Sequence, residues 1–404
     1  MVRLIGAGNR RTCGVTAVAA LLILAAPPLI ASVHSFDAAP GYQVKGPGAA
    51  ADPGDVAGGP EAAPVWEDHA IDPRGRAMVH SATLTELPKG GVQAFWYGGS
   101  REGARDVGIY SARLLPNERS WTLPREVMTR ARLSEELGRY IKKLGNPVAF
   151  LDNSGQVWLF FVSVSVGGWS GSSINAMVSQ DGGETFGPVK RLITSPAFNV
   201  STLVRGRPVQ MRDGSITLPV YHEFLGKFAE LLRLDPEGVV LGKKRLTLGR
   251  SHIQPVLVPE DAETAHVFLR YAGETDKRIH YVSTDDAGLE FTSPSGSNLP
   301  NPDSAIDAVR VAGHGLLMVY NHSEVARDIL ALAVSEGQPG HWTRIHDLEH
   351  AEAGTGRLFS YPSILRDQVG RTHVVYTHNR AYIKHVMFND VWLSDARRGA
   401  PSPP

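Results

Sequence analysis

Short runs of apolar residues alternate with turn signals along most of the chain. Runs such as GVQAFWYGG (91–99), QVWLFFVSVSV (156–166) and GLLMVYNH (315–322) are rich in β-branched and aromatic residues. Clusters of glycine, proline, asparagine and aspartate, such as KGG, DNSG and PEG, separate these runs. Short β-rich runs between turn residues are typical of strands. The pattern therefore predicts an all-β body built from many short strands.

One segment, residues 134–144, has helical spacing instead. Ser134 is placed to cap the helix N-terminus, two glutamates follow it, and two lysines stand in the last turn before Gly145. Acidic residues at the start and basic residues at the end of a helix complement its dipole. We therefore expect one short helix inserted into the β body.

A turn with the sequence SQDGGETF, Ser179–Phe186, recurs in altered form. TDDAGLEF (284–291) keeps the hydroxyl, Asp, Gly and Phe positions, and SEGQPGHW (335–342) keeps the first Ser and the last aromatic. Asp and Ser/Thr side chains bond nearby backbone N–H groups, and Gly adopts the positive φ that such turns need. We interpret the motif as a structural link between neighbouring strands. A spacing of about 50 residues is typical of propeller blades and predicts about six of them.

The N-terminus carries an export pattern. Arg3, Arg10 and Arg11 precede an apolar run at 14–33, as in the charged and apolar regions of a signal peptide. The length of the run also permits a membrane anchor. We expect residues 1–35 to be a signal peptide or an N-terminal membrane anchor. The protein is then exported, periplasmic or secreted, or is tethered to the inner membrane through residues 14–33.

Composition sets the remaining boundaries. Residues 36–64 are rich in Gly, Ala and Pro and are expected to form a disordered linker. The folded body then spans 65–395, with a tail at 396–404.

The 41 basic and 41 acidic residues of the whole chain balance, so we expect no nucleic-acid partner. No cofactor or metal motif is present, since the spacing of His341, His346 and His350 fits no zinc site. The oligomeric state stays open.

Several segments of the body resemble a known family in order along the chain. They include HSATLTELPKGG, YGGSREGARDV, RPVQMRDGSITLPVYHE, LPNPDSAIDAVR and YTHNRAYIKHV, together with the SQDGGETF turn. The chain resembles bacterial sialidase-like proteins with Asp-box (BNR) repeats. The resemblance covers about residues 77–390 and implies a six-bladed β-propeller of the sialidase type, with its active site at the axial mouth.

The resemblance also implies roles for individual residues. Sialidases hold the substrate carboxylate with three arginines, use a Tyr paired with a Glu as nucleophile, and use an Asp as acid/base. Arg270 in VFLRYAG and Arg327 in NHSEVARDILALAVS match two of the arginines. Tyr361 in FSYPSI matches the nucleophile, and Asp106 in SREGARDV matches the acid/base.

Two positions depart from the family pattern. His80 stands near the place of the first-blade arginine, and Gln254 stands where the activating Glu is expected. Glutamine cannot act as a base, and histidine is cationic at neutral pH only in some environments. Glu223 in VYHEF is the alternative carboxylate to activate the tyrosine.

Other residues in the matched segments are candidates to bind sugar hydroxyls or to support the site. Each candidate also has a structural interpretation, such as a surface ion pair for an arginine, a packing role for Tyr361 or a turn cap for Asp106. The additional substrate-binding candidates are Arg101, Asn146, Asp307, Asn321 and Arg380.

Three functions remain open at this point. The first is an exported glycoside hydrolase, an exo-α-sialidase-like enzyme that removes a terminal acidic sugar, with sialic acid as the leading case. The second is a polysaccharide lyase acting on uronate-containing glycans, in which His80 or Tyr361 abstracts a proton. The third is a non-catalytic propeller that binds acidic glycans. All three place an acidic glycan at the axial mouth.

Overall fold

A computed structural model describes residues 39–44, 63–195, 199, 201–224, 226–352 and 354–399. Within these ranges 25 strands form six antiparallel sheets, and two α-helices are present, α1 (Arg130–Glu136) and α2 (Asp390–Arg398). The strands are β1 (Trp66–Ile71), β2 (Met78–Glu86), β3 (Val92–Gly99), β4 (Gly108–Leu114), β5 (Arg125–Met128), β6 (Lys143–Leu151), β7 (Val157–Val164), β8 (Ser172–Ser179), β9 (Lys190–Arg191), β10 (Leu203–Val204), β11 (Val209–Gln210), β12 (Ile216–His222), β13 (Phe228–Leu234), β14 (Val240–Arg245), β15 (His252–Pro259), β16 (Ala265–Tyr271), β17 (Arg278–Thr284), β18 (Ser295–Pro300), β19 (Asp307–Val311), β20 (Gly315–Asn321), β21 (Ile329–Ser335), β22 (Thr343–His350), β23 (Phe359–Arg366), β24 (Thr372–His378) and β25 (Tyr382–Phe388).

The six sheets are the blades of a propeller. Blade 1 is β2–β5, blade 2 is β6–β9, blade 3 is β10–β14, blade 4 is β15–β18 and blade 5 is β19–β22. Blade 6 joins β23–β25 to β1, which pairs antiparallel with β25 from Trp66↔Phe388 to Ile71↔Ile383. The first strand of the body thus closes the last sheet and protects its edge. The predicted six-bladed propeller is confirmed.

Apolar side chains fill the spaces between successive blades. Six clusters of buried residues lie at the six blade–blade interfaces. Between blades 1 and 2, for example, Phe95 and Ile109 pack against Leu159 and Phe161. Since both faces of each sheet are buried, most strands read as nearly continuous apolar runs rather than alternating ones.

The recurring turn has the same hydrogen bonds in blades 2 and 4. In blade 2, the Ser179 hydroxyl donates to Asp181 Oδ1 (2.7 Å) and accepts from Gly183 N–H (2.7 Å), and Asp181 Oδ1 accepts from Thr185 N–H (2.8 Å). In blade 4, the Thr284 hydroxyl and the Asp286 carboxylate make the equivalent bonds. The blade 2 turn also contacts blade 1, so it joins neighbouring blades as well as neighbouring strands.

The inserted helix lies earlier in the chain than the sequence pattern predicts. Helix α1 begins after Thr129, whose hydroxyl accepts from Arg132 N–H at 3.1 Å. Ser134, predicted as the N-cap, lies inside the helix, and its hydroxyl accepts from Ile141 N–H. The helix stops before Gly138, which has φ +59°, and Lys143 instead begins β6. Pairing of β6 with β7 takes residues 143–144 out of the predicted helix.

Part of the predicted disordered linker is packed, which corrects that prediction. Within 36–64, residues 39–44 lie against blades 3 and 4, where Tyr42 is 1% exposed. Tyr42 N–H donates to the Ala262 carbonyl at 2.7 Å, and Gln43 N–H donates to the Gln210 carbonyl at 2.9 Å. One aromatic ring supplies the buried apolar surface that the surrounding Gly, Ala and Pro residues lack.

The C-terminal boundary also differs from the prediction. Helix α2 runs across the expected end of the body at residue 395, because Leu393 packs between blades 5 and 6. The predicted leader at 1–35, with its apolar run, lies outside the described residues. In the described part of the chain, no helix is both long and apolar enough to span a membrane.

Candidate functional site

Four inner strands carry an irregularity near their first residues. The pairing register shifts in β2, β6, β15 and β23, and at each shift one non-glycine residue has a positive φ. These residues are Ser81 (55°), Asn146 (45°), Gln254 (52°) and Tyr361 (53°). A β-bulge leaves a residue unpaired and re-aims its side chain, and bulges are common beside active sites. Positive φ costs about 1–3 kcal/mol for such residues. Its repetition in four blades makes this end of the propeller axis, the axial mouth, the candidate functional site.

Blade 3 has an interrupted inner strand where those four blades have a bulge. Its inner strand is split into β10 and β11 by the sequence Arg205-Gly206-Arg207-Pro208. Gly206 lies against blade 4, where a Cβ would collide with the carbonyl oxygen of Pro255. The two flanking arginines reach across the axis to blade 6, so this interruption supplies two guanidinium groups to the centre of the propeller.

Arg205 is a buried cation next to Tyr361. It is 3% exposed, its Nη2 donates to the Pro362 carbonyl at 2.6 Å, and its guanidinium lies 5.5 Å from the centre of the Tyr361 ring. Burial lowers the Arg205 pKa, although Asp307 and Tyr361 oppose this effect. Arg205 is not among the site residues predicted from the sequence. Its only sequence signal is the pair of arginines flanking Gly206 after an apolar strand.

Tyr361 lies among cationic and aromatic groups. The Arg327 guanidinium is 5.9 Å from its ring centre, and the His80 ring meets it edge-on at 4.7 Å. The Tyr361 hydroxyl makes no hydrogen bond to any residue that the structure describes. The charges of Arg205, Arg270 and Arg327 all interact with it.

Arg270 connects the carboxylate and amide groups of the mouth. Its Nε donates to Asp303 Oδ1 at 2.6 Å, and its Nη1 donates to Gln254 Oε1 at 3.1 Å. Gln254 Nε2 in turn donates to the Tyr221 hydroxyl oxygen at 3.4 Å, and Asn146 Nδ2 donates to the same oxygen at 3.3 Å. One chain of hydrogen bonds therefore runs from the loop between blades 4 and 5, through blades 4 and 3, to blade 2.

Arg327 lies at the start of blade 5's third strand, close to Arg270. Its Nη2 donates to the Asp303 backbone carbonyl at 3.0 Å. Burial and the neighbouring Arg270 charge lower the Arg327 pKa. Asp303 thus positions both arginines, one through its side chain and one through its backbone. Its own φ of 55° makes it another strained residue at the mouth.

His80 is held as a neutral ring. It is 2% exposed, and its Nδ1 lies 3.1 Å from the Thr377 hydroxyl, which also accepts from Ser81 N–H. Burial, followed by the charges of Arg380 and other arginines, lowers the His80 pKa to about 3. His80 therefore does not replace the missing family arginine as a cation at neutral pH. It is a neutral hydrogen-bonding group instead.

Glu223 lies at the end of β12, beside the mouth. Burial raises its pKa, while the charges of Arg270 and Lys227 lower it to a smaller extent. Its backbone N–H donates to the Ser201 hydroxyl at 3.0 Å. A carboxyl group with a raised pKa is a stronger base than an ordinary glutamate and also a proton donor at higher pH.

Two predicted residues, Asp106 and Arg101, lie on an exposed loop, and a third, Arg380, lies at the rim, where its charge acts on His80. Asp106 is exposed on the β3–β4 loop and accepts from Ser100 N–H (2.8 Å) and Oγ–H (2.9 Å), and these bonds lower its pKa. Arg101 is exposed on the same loop. Arg380 pairs with Glu102 at 3.0 Å, which links blades 6 and 1 at the rim.

Asp307 and Asn321 are engaged with the backbone and side chains of blade 6. Asp307 Oδ2 accepts from Ser363 Oγ–H (3.1 Å) and Ile364 N–H (2.9 Å). Asn321 Nδ2 donates to the Phe359 carbonyl at 3.0 Å. Both side chains fix the strand that carries Tyr361.

Histidine, cysteine and acidic residues do not converge on a metal-binding group anywhere in the described ranges. Of the three histidines near residue 346, His346 packs against Trp66 and Trp392. The candidate chemistry of the mouth consists of arginine, tyrosine, histidine, amide and carboxyl groups.

The propeller and its arginine-lined mouth define a protein of the sialidase-like class. A BNR repeat-like domain matches residues 90–374, and the chain belongs to that family. The predicted family is therefore confirmed. The chain matches no curated protein sequence.

Solved structures share the fold at low identity. The Hadza microbial sialidase Hz136 is 15% identical, with a TM-score of 0.65 over 79% of this chain and 67% of its own. The intramolecular trans-sialidase from Ruminococcus gnavus is 12% identical, with a TM-score of 0.62 over 80% and 97%. A protein of unknown function from Dyadobacter fermentans is 15% identical, with a TM-score of 0.62 over 80% and 98%. At these identities the likeness shows the fold alone.

Proposed function

We propose that the axial mouth hydrolyses the glycosidic bond of a terminal acidic sugar, with sialic acid as the leading case. The observation that carries the proposal is Tyr361, which is held at φ 53° between guanidinium groups and without a hydrogen bond to the described residues. A strained tyrosine with a free hydroxyl beside cations is suited to attack a substrate rather than to pack.

The substrate carboxylate is the group that Arg270 and Arg327 would bind. Asp303 orients both guanidinium groups, through 2.6 Å and 3.0 Å hydrogen bonds. Guanidinium groups pair with carboxylates through two parallel hydrogen bonds, so a correctly oriented pair favours an acidic sugar over a neutral one.

Tyr361 would then act as the nucleophile on the anomeric carbon. Sialidases are known to use tyrosine instead of a carboxylate in this role. In this proposal Glu223 takes the tyrosine proton, because its raised pKa makes it a better base than an exposed glutamate. The charges of Arg205, Arg270 and Arg327 stabilise the resulting phenolate.

The test is turnover of a fluorogenic α-sialoside by the full chain. We expect the wild-type protein to release the fluorophore and Tyr361→Phe to lose at least about a thousandfold in kcat/KM. Tyr320→Phe is the matched control, because Tyr320 is a buried tyrosine in blade 5 whose hydroxyl contacts His322. Equal turnover by Tyr361→Phe would contradict the proposal. Saturable binding of sialosides without turnover would assign the mouth to glycan binding alone.

A second candidate is a polysaccharide lyase acting on uronates. His80 favours it, because a neutral ring stands 4.7 Å from Tyr361 in the place of a carboxylate-binding cation. Its lowered pKa makes His80 a weak base, so Tyr361 would accept the proton α to the carboxylate. Unsaturated products that absorb ultraviolet light, formed from a panel of uronate polymers and lost in Tyr361→Phe, would support it. Absence of these products would remove it.

Export belongs to the same proposal. An apolar run at 14–33 follows three arginines, the pattern of an exported protein. Fractionation of producing cells would test it, since recovery of the full-length chain in the cytosol would contradict export.

A further inference from the structure

Tyr221 presents a hydroxyl group at the axis between two amide side chains. It is 2% exposed at the end of β12 and belongs to blade 3. Asn146 Nδ2 from blade 2 lies 3.3 Å from its oxygen, and Gln254 Nε2 from blade 4 lies 3.4 Å away. Both amides belong to the strained residues at the start of inner strands. Two bulges from different blades thus converge on this one oxygen.

The direction of the Gln254 bond follows from Arg270, and the Asn146 NH₂ group donates in the same way. A guanidinium group can only donate, so the Gln254 oxygen must face Arg270, 3.1 Å away. The Gln254 NH₂ group is then turned towards Tyr221. A phenol oxygen accepts up to two hydrogen bonds and donates one. Asn146 and Gln254 fill both acceptor positions of Tyr221.

The proton of the Tyr221 hydroxyl therefore has no acceptor among the described residues. An unpaired buried donor is costly, by about 1–3 kcal/mol, unless a ligand or water satisfies it. The amide donors come from the two neighbouring blades, so both lie on the side of Tyr221 that faces other protein groups.

We propose that Tyr221 is the proton donor to the leaving-group oxygen of the substrate. The inference rests on the proposed hydrolase function and adds the acid that this function requires. Asp106, the family-based candidate, is exposed and bonded to Ser100. Burial and the nearby Glu223 raise the Tyr221 pKa, which keeps the hydroxyl protonated at neutral pH.

The reaction balances with two tyrosines. The Tyr361 phenolate oxygen bonds to the anomeric carbon, and the bond from that carbon to the leaving-group oxygen breaks with its electron pair. That oxygen takes the Tyr221 proton and leaves as an alcohol. Water then bonds to the anomeric carbon, the bond to Tyr361 breaks with its electron pair returning to the tyrosine oxygen, and a water proton restores the Tyr221 phenol.

The role predicts a dependence on the leaving group. A general acid contributes about 10²–10⁴-fold when the leaving group needs a proton and little when it does not. We would compare methyl and 4-nitrophenyl α-glycosides of sialic acid with wild type and Tyr221→Phe. We expect kcat/KM to fall at least about a hundredfold for the methyl glycoside and less than about fivefold for the nitrophenyl glycoside.

Two further variants separate Tyr221 from its neighbours. Glu223→Gln should lower kcat/KM equally for both glycosides, because Glu223 acts on Tyr361 in the proposed mechanism. Asn146→Asp replaces a donor by an acceptor, which draws the Tyr221 proton away from the mouth and should reproduce the loss on the methyl glycoside. Tyr320→Phe controls for the loss of a buried hydroxyl elsewhere and should leave both rates unchanged.

The outcomes distinguish the inference from the function on which it rests. An equal loss on both glycosides in Tyr221→Phe and Asn146→Asp would overturn the inference while leaving the hydrolase intact. Leaving-group dependence in Glu223→Gln instead would assign the proton to Glu223. No turnover of either glycoside by the wild-type protein would contradict the hydrolase and the inference together.

Discussion

The Ser179–Phe186 turn at the periphery and the axial mouth both contain residues with positive φ, but they use different residue types at those positions. Both require positive φ, which the turn supplies with Gly182 (69°) and Gly183 (83°). The mouth uses Tyr361, Gln254 and other non-glycine residues instead. Glycine adopts positive φ without steric cost, whereas a residue with a side chain does not.

The two regions also differ in how their polar groups are satisfied. In the turn, Asp181 accepts from Ser179 Oγ–H, Thr185 N–H and Thr185 Oγ–H, within 2.6–2.8 Å. At the mouth, the hydroxyl of Tyr361 and the proton of Tyr221 have no partner in the described parts of the chain. Satisfied polar groups and unstrained backbone serve stability, while strained backbone with unsatisfied groups serves a ligand. Substitutions at the axis should therefore change activity, and substitutions at the turns should change stability.

After Tyr361→Phe, the largest effect should come from Arg270→Ala. Removing this guanidinium deletes a proposed carboxylate-binding group and releases Gln254 from its 3.1 Å bond, so kcat/KM should fall about 10²–10³-fold. The control is Arg278→Ala in the same blade, because Arg278 is exposed and pairs only with Asp276 among the described acidic residues. Steady-state kinetics with an α-sialoside would measure both variants. Similar losses of kcat/KM in the two variants would contradict a special role for the axial arginine Arg270.

His80 should make stability depend on pH. Its pKa is lowered from 6.5 to about 3 in the folded chain. Below pH 6.5 the unfolded chain therefore binds a proton that the folded chain does not, and stability falls as the pH falls towards 3. Above pH 6.5 the contribution is constant. One proton corresponds to about 1.4 kcal/mol per pH unit, or about 2 kcal/mol between pH 6.5 and pH 5.

Urea unfolding of wild type and His80→Gln over this pH range would measure the difference. The variant should lose the His80 part of the slope and match the wild-type slope above pH 7. His350→Gln is the control, since the His350 side chain is 62% exposed. An unchanged slope in His80→Gln would mean that the buried ring is protonated in the folded chain.

A smaller effect is expected at the two recurring turns. Asp181→Ala removes hydrogen bonds to Ser179 and Thr185, and should lower the free energy of unfolding by about 1–2 kcal/mol. Asp286→Ala should cost less, by about 0.5–1 kcal/mol, because Asp286 lacks the counterpart of the Thr185 hydroxyl bond. The activity of the folded fraction should not change. A drop in kcat for either variant would contradict a purely structural role.

The architecture follows from the sequence because its determinants are local. Each turn is specified within eight residues, as in Ser179–Phe186, and each short strand by its own apolar run. The helix near Ser134 shows the limit of this reasoning. Residues 143–144, which local propensity assigns to the helix, pair with β7 as part of β6. The order of residues 39–44 likewise depends on a cavity between blades 3 and 4 that no local pattern reveals.

The site depends on contacts that are distant in sequence. Family resemblance brings Tyr361, Arg270 and Arg327 to attention, and the structure gathers them at the mouth. Arg205 acts on a carbonyl 157 residues away, and Tyr221 bonds to an amide 75 residues away. No periodicity in a single sequence encodes such pairings, which arise only when the blades close around the axis.

The smallest expected effect tests an exception at the periphery. The hydroxyl of Tyr42 is buried against blade 4 with no hydrogen-bonding partner in the described parts of the chain. Unlike Tyr221, it lies at the periphery, where the apolar cluster between blades 3 and 4 encloses its ring and the charges of Arg233 and Asp286 act on it with opposite sign. Tyr42→Phe removes an unsatisfied polar atom and keeps the ring. The free energy of unfolding should therefore stay constant or rise by less than about 1 kcal/mol, with no change in turnover.

Chemical denaturation of Tyr42→Phe and of Tyr42→Ala, which removes the ring as well, would separate the contribution of ring packing from that of the hydroxyl. A loss of more than about 1 kcal/mol in Tyr42→Phe would show that the hydroxyl is bonded in solution. An unpaired tyrosine hydroxyl would then be insufficient to mark a ligand site, and the case for Tyr361 and Tyr221 would rest on their strained, arginine-bearing surroundings alone.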